Sequence, residues 1–253
     1  MFRSYLTVAL RNIVKHKGYT LINVLGLAIG MACCTLILLY VQDELSFDRY
    51  HDRADRIYRV VNETVVGDNH AFSAQTAPPW GPALVKDYPE VVNMVRFKTP
   101  NSRWLIKHEE REFWERGFFF ADSTIFDVFS YSFVQGNPKT ALNGPNSVVI
   151  NESTAKRYFG DEDPMGKVFN AEDFLMLTVT GIVEDMPRNS HFHYDFLVSF
   201  SSLGPGPGAN MYGNLYSPSF GQMGANTIIY TYLLLAEGAS ASDLEANLPS
   251  FID

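Results

Sequence analysis

The sequence predicts a chain anchored in a membrane by one helix and carrying a large body of mixed helices and strands. Three observations carry that expectation. Residues 19–41, YTLINVLGLAIGMACCTLILLYV, run for about 23 positions without a formal charge, and at ~1.5 Å rise per residue such a helix spans a hydrocarbon core of about 30 Å. The 18 residues before it contain Arg3, Arg11, Lys15 and Lys17 and no acid. The long remainder is acidic and rich in aromatic residues, and strand signals alternate in it with capped helix signals. The chain therefore divides into a head (1–18), a span (19–42) and a body (43–253).

In the head, Phe2, Tyr5, Leu6, Ala9, Leu10, Ile13 and Val14 recur at helical spacing, with Arg3, Thr7, Arg11, Asn12 and Lys15 on the other side. This pattern fits an amphipathic helix lying among membrane lipid headgroups before the chain turns inward at Gly18. Packing of the same helix on a partner protein is the alternative.

The span is too long for the apolar core of a cleaved signal peptide and leaves through Tyr-Val-Gln-Asp-Glu, without a small-residue exit. A lipoprotein box at Gly30-Met-Ala-Cys33 fails because the apolar run continues past the cysteine. Asn23, Gly26, Gly30 and Cys34 fall at i, i+3, i+7 and i+11, a small and slightly polar stripe where a second helix could approach closely. These four residues are the candidates for helix packing. Glycine is also frequent in membrane helices for no such reason.

Orientation follows from distance. Arg11, Lys15 and Lys17 adjoin the span on one side, whereas Asp43 and Glu44 come first on the other and Arg49, Arg53, Arg56 and Arg59 only later, so the head is expected in the cytoplasm. The two cysteines, Cys33 and Cys34, both lie in the span, so the body forms no disulfide and cysteine is silent about compartment.

The formal net charge is −8, and with four bases and no acid in the head the imbalance belongs to the body, which argues against a nucleic-acid partner. A composition 46% hydrophobic and 14% aromatic supplies a core and argues against disorder. The stretch after Val41 is expected to prolong the helix by two turns, with Leu45 and Phe47 as apolar contacts. Alternation then predicts a strand from Ile57 to Val66. Prolines at 78, 79, 82 and 89 bracket a short helix near 81–88, and strands are expected at 91–98, 104–108 and 112–120.

Ser147–Ile150 reads as a strand, Asn151 as an N-cap, Glu152 as a first-turn acid, Lys156 and Arg157 as last-turn bases and Gly160 as the stop. Further strands are expected after Gly166 and over 174–183. Phe192, Tyr194, Phe196, Val198 and Phe200 alternate on one face of another. Residues 201–226, crowded with Gly, Pro and Asn, read as a long loop. A strand returns at 227–235, and Ser242-x-x-Glu245 forms a capping box for a helix burying Leu244, Leu248 and Phe251.

Motifs for chemistry are sparse. His191, His193 and Asp195 would share one side of a strand, as metal ligands or simply as its polar face. Neither a phosphate loop of the G-x-x-x-x-G-K-[ST] type nor a G-x-S-x-G elbow is present. The acidic clusters at Glu109–Glu110 and Asp161–Asp163 read as solvated loops. No residue is assigned a catalytic, cofactor-binding or metal-ligating role, and the chain is expected not to be an enzyme.

The opening FRSYLTVALRNIVKHKGYTLINVLGLAIG and the following DELSFDRYHDRADRIYRV resemble the start of MacB/FtsX-type ABC transporter permeases, especially those common in Bacteroidetes. ADSTIFDVFSYSFVQGNPKTAL, SVVINESTAKRYFGDEDPMGK, TVTGIVEDMPRNSHFHYDFLVSF and YTYLLLAEG continue the resemblance in order. Ser46, Phe47 and Asp48, with Ile57, Tyr58 and Arg59, are its motif residues beside the span. The resemblance implies an α+β extracytoplasmic domain of two lobes, one porter-like and one small and inserted. It also implies a cytoplasmic ABC ATPase as motor, a second permease copy, possible contact with a periplasmic adaptor, and handling of peptides, antibiotics or lipoproteins at the inner membrane. Family members carry three more membrane helices after this domain, so the chain is expected to be the front portion of a permease. Residues 201–226 match no pattern of the family. The reading from a different class is a single-pass protein whose exported domain is a binding or sensor module.

Overall fold

The structure, a computed structural model, describes residues 2–100, 102–204, 228–248 and 251. It comprises two compact units, residues 1–47 and residues 48–253. The first holds α1 (Phe2–Lys15) and α2 (Lys17–Ser46), separated by His16. α2 is the one helix among the described residues long and apolar enough to cross a membrane. None of its side chains is buried, so its Leu, Ile and Val residues have no protein neighbour to account for them, as a lipid-facing helix requires. Leu45 and Phe47 are exposed at 58% and 38% and make no apolar anchor.

The second unit is built on one sheet. Its strands are β1 (Ile57–Arg59), β4 (Gln75–Thr76), β5 (Val91–Lys98), β6 (Trp104–His108), β7 (Arg111–Glu115), β8 (Phe118–Ala121), β9 (Phe133–Gly136), β10 (Ser147–Asn151), β11 (Val168–Ala171), β12 (Leu175–Val183), β13 (Phe196–Ser199) and β14 (Ile229–Leu235), while β2 (Asn62–Val66) and β3 (Asn69–Ser73) form a separate hairpin. Helices α3 (Trp80–Asp87), α4 (Ile125–Val128), α5 (Glu152–Phe159) and α6 (Ala241–Asn247) complete it. The order across the sheet is β1-β14-β5-β8-β13-β10-β12-β11-β6-β7, with β4 on β14 and β9 on β12. Among the described residues only β8–β13 and β10–β12 pair in parallel. This is the mixed fold expected, and residues 48–253 form one compact unit on this sheet.

The apolar runs FFFA, SVVI and FLV explain the centre. Parallel strands covered on both faces lose the alternation of a half-exposed sheet. Phe118, Phe120, Val148, Ile150, Phe196 and Val198 enter a core beneath α5, while Phe119, Val149 and Leu197 enter a second with Phe129 of the chain after α4. A third cluster joins Trp80 and Leu84 of α3 to Leu233, Leu235 and Leu244. α5 begins as its sequence dictates, Asn151 Oδ1 accepting the Thr154 N–H at 2.9 Å, and stops at Gly160 with φ 65°.

Several expectations need correction. The strand expected over 57–66 divides, because the Val60 N–H donates to Thr231 O and its side chain is buried, after which Asn62 leaves to pair with β3. That expected over 112–120 breaks at Gly117, whose carbonyl accepts the N–H groups of Asp195 and Phe196; a Cβ there would lie 2.7 Å from Asp195 N. This glycine lets the chain pass from the sheet's last strand to its centre. The five alternating aromatics and aliphatics of 192–200 do not share a face. Only 196–199 are strand, and Phe192 and Tyr194 join the opposite core from Phe196 and Val198. The last helix is capped by Ser240, which accepts the Asp243 N–H, rather than by Ser242. Of the loop expected over 201–226, Leu203 is buried in a short 3-10 turn, and residues 205–226 lie outside the described residues.

One ion pair ties these layers together. Arg96 of β5 donates from Nε and Nη2 to both oxygens of Asp122 at 2.8 Å and from Nη1 to Pro78 O, with its guanidinium 4.3 Å from the Phe200 ring centre. Removing one member of such a half-buried pair strands the other charge. Asp122→Ala is expected to lower the unfolding free energy by about 3 kcal/mol, measured by urea denaturation of the detergent-solubilised chain.

Candidate functional site

The stretch FDRYHDR, directly after α2, is polar and would be a free linker if nothing held it. It is bonded instead to three separate parts of the body. Asp48 takes a left-handed backbone conformation, φ 59°, tolerated by a short polar side chain. Its N–H donates to Asn189 O at 2.9 Å; its Oδ1 accepts the His191 N–H at 3.0 Å, and its Oδ2 lies 2.7 Å from His191 Nδ1. The far nitrogen of the same ring, Nε2, lies 2.7 Å from the Tyr232 hydroxyl on β14. A carboxylate only accepts, so the Nδ1 hydrogen belongs to the Asp48 contact and neutral His191 accepts the tyrosine proton at Nε2. Burial pushes the Tyr232 hydroxyl above its ordinary pKa, with Arg59 beside it pulling it down, and so keeps it a donor.

The next residues continue the clasp. The Tyr50 hydroxyl donates to Ser190 Oγ at 3.0 Å, and Ser190 Oγ donates to Phe192 O. The Asp52 N–H donates to Ser130 Oγ at 2.9 Å, and an Arg53 guanidinium nitrogen donates to Asp127 O. His51 is buried, packed between Tyr50 and Phe129, and its Nδ1 accepts the Ser130 N–H at 3.2 Å. That bond requires a neutral ring carrying its hydrogen on Nε2, which meets no acceptor among the described residues. Burial lowers the His51 pKa, against an opposing pull from Asp48. Asp48, His51, Ala54, Ile57, Arg59, Phe129, His191 and Tyr232 line an open pocket of about 360 Å³.

The motif residues are thus only partly brought together. Asp48, Ile57 and Arg59 share the cavity. Tyr58 is 42% exposed and donates to Asp55 O, while Ser46 and Phe47 belong to the first unit, where the Ser46 hydroxyl donates to Asp43 O. The packing candidates Asn23, Gly26, Gly30 and Cys34 are all exposed, and a Cβ on either glycine would meet nothing within 4 Å. His191, His193 and Asp195 are not a ligand set: His193 contacts Pro187 O and Asp195 accepts from Asn151, so the three face different partners. Sequence reasoning missed Tyr50, His51, Ser130 and Tyr232. A tyrosine inside the apolar run YLLL, and a histidine three residues from Asp48, were the available signals.

Two outcomes test the clasp. A double-mutant cycle on Asp48→Ala and His191→Ala is expected to return a coupling of about 1 kcal/mol in denaturant unfolding. Because the folded state resists protonating His51 and the unfolded chain does not, the contribution of His51 is complete above about pH 6.5 and is lost as pH falls towards its lowered native value. His51→Asn, which keeps an acceptor for Ser130 N–H, is expected to flatten that part of the pH–stability curve.

The comparisons with known proteins agree with this architecture. A domain of a permease protein from Porphyromonas gingivalis superposes with a TM-score of 0.63 at 21% identity, covering 79% of this chain and 81% of that one. The periplasmic region of MacB from Actinobacillus actinomycetemcomitans gives 0.55 at 16% identity, over 78% and 82%. The extracellular domain of the ABC-type transporter YknZ from Gram-positive bacteria gives 0.51 at 15%, over 75% and 87%. At these identities the likeness is one of fold. No curated protein matches the chain. The MacB-like periplasmic core domain, however, matches residues 20–251, nearly the whole chain from the first turn of α2 to the last described residue, and the chain belongs to that family, which places it among ABC transporter permeases.

Proposed function

We propose that this chain is the leading part of a permease that relays ATPase-driven motion through α2 into the extracytoplasmic body, in export or mechanotransmission of peptides, antibiotics or lipoproteins. The clasp carries the reading. A helix can drive a domain only if the residues between them are held, and here they are held by bonds to residues 127–130, 189–191 and 232. In this scheme a cytoplasmic ABC ATPase supplies hydrolysis and the chain itself is not an enzyme. A second permease copy and a periplasmic adaptor are further partners. The chain sits in the inner membrane with its basic head in the cytoplasm and its body in the periplasm.

The test uses the full-length gene product in a Cys33→Ser/Cys34→Ser background. It is expected to co-purify with an ATPase bearing a phosphate loop, and a spin label at Phe72→Cys on β3 is expected to report ATP-dependent movement of the body. Adding Asp48→Ala and His191→Ala is expected to reduce that movement severalfold while assembly and ATP turnover persist. Movement undiminished by the clasp substitutions would overturn the relay. Failure to bind any ATPase would favour an anchored binding or sensor domain.

A further inference from the structure

Between β9 and β10 the chain runs through Asn-Pro-Lys-Thr-Ala-Leu-Asn-Gly-Pro-Asn. The middle of this connection is packed. Ala141 and Leu142 are each 2% exposed, and their carbonyls accept the Thr180 hydroxyl at 2.6 Å and the Ser199 hydroxyl at 2.8 Å. The residues after them are not held in the same way. Asn143 is exposed, and among the asparagines of the sequence it alone precedes a glycine. The Gly144 N–H meets no acceptor among the described residues, so the nitrogen beside the Asn143 side chain is uncommitted. Glycine also carries no Cβ to keep that nitrogen away from a neighbouring group. The Asn143 side-chain amide is held by its Nδ2 donating to Lys139 O at 3.0 Å, an exposed bond that exchanges with water at little cost.

Asn146, also exposed, shows the contrast. Its N–H donates to Ser202 Oγ at 2.7 Å and its carbonyl accepts the Thr178 N–H at 2.8 Å, while Ser147 after it already belongs to the ladder with β12. Backbone fixed on both sides cannot swing a nitrogen onto the side chain.

The geometry points to Asn143 as a site of spontaneous modification, at which the Gly144 nitrogen displaces the side-chain amide. That nitrogen, its proton lost to water, attacks Asn143 Cγ and a C–N bond forms. The Cγ–Nδ2 bond breaks, and Nδ2 takes up a proton and leaves as ammonia. Water then opens the imide ring. Addition at Cγ restores the ordinary main chain with aspartate at 143; addition at the main-chain carbonyl carbon routes the chain through Cβ and Cγ as isoaspartate. The net change consumes a water, releases an ammonia and transfers no electrons. Adjacency in one chain is what makes so weak a nucleophile competent. Either product replaces the Nδ2 donor by a carboxylate beside Lys139 O, and isoaspartate also lengthens the main chain directly after Leu142. The tie from Leu142 to Ser199 on β13, the neighbour of β10, is the contact this loosens. The inference goes beyond the relay and does not depend on it.

The experiment incubates the detergent-solubilised full chain at physiological temperature and pH in water enriched in heavy oxygen, followed by tryptic digestion and mass spectrometry. The peptide 140–156 carries Asn143 with Asn146 and Asn151 as internal controls. Heavy oxygen is expected at position 143 severalfold faster than at the other two, with aspartate and isoaspartate both resolved by chromatography. Gly144→Ala sets a methyl group beside the attacking nitrogen. The fold has room for it, since a Cβ there would meet Ser147 Oγ at 3.5 Å and Gly144 is not in the left-handed region. Labelling at 143 is expected to fall severalfold in this variant while thermal unfolding stays cooperative. Labelling no faster than at Asn146, labelling undiminished by the alanine, or aspartate as the sole product overturns the proposal. Labelling that appears only in urea-unfolded chain overturns it as well, because the native turn would then forbid the attack.

Discussion

Asp48 is the first residue of the body and a carboxylate that ordinary solvent would satisfy, yet its acceptors are taken up by one neighbour. His191 meets it twice, through its backbone N–H and through Nδ1, and the same ring is backed by Tyr232. The consequence is geometric. A carboxylate held at two oxygens cannot swivel, so Asp48 keeps its left-handed backbone. The residues that follow are bonded to the body in turn: Tyr50 reaches Ser190, His51 reaches Ser130 and Arg53 reaches Asp127.

Where the clasp grips matters as much as how tightly. Tyr232 lies on β14, which pairs with β1, β4 and β5, and through β5 with β8 and the doubly covered centre of the sheet. The 189–191 segment leads directly into β13. In the proposed relay, a displacement at Asp48 would reach two strands of one continuous sheet rather than a peripheral loop. Close-packed interiors transmit such a displacement with little loss, and this core, with aromatic rings of Phe97, Phe129, Phe192 and Tyr232 in mutual contact at 5.2–6.3 Å, has few ways to absorb it. With both cysteines in α2, the body owes its rigidity to packing and to pairs such as Arg96–Asp122.

How much of this could be read in advance divides along physical lines. Elements set by local rules were legible. The uncharged run of α2, the Asn151 cap with its Gly160 stop, and the strands at 91–98 and 104–108 all depend on neighbours within a few residues. Elements set by distant contacts were not. Nothing near Gly117 announces that Asp195 will approach its Cα, and the alternation of 192–200 predicts one buried face where the sheet has two. The clasp shows the same division. Asp48, Ile57 and Arg59 stood out through resemblance, whereas Ser130 and Tyr232 join them from 82 and 184 residues away along the chain.

The two histidines of the clasp use their rings differently. Neutral His51 accepts a backbone N–H, and a proton at Nδ1 would remove that acceptor in a place where burial already disfavours the charge. His191 uses both nitrogens, donating from Nδ1 to a carboxylate and accepting the Tyr232 proton at Nε2. Acid thus loosens the clasp at Ser130. A lysine or arginine at 191 would be a permanent donor and could not accept from Tyr232, and at 51 it could not accept the Ser130 N–H. The imidazole, an acceptor on one nitrogen and a donor on the other, is the side chain that can join the entering segment to two parts of the body at once.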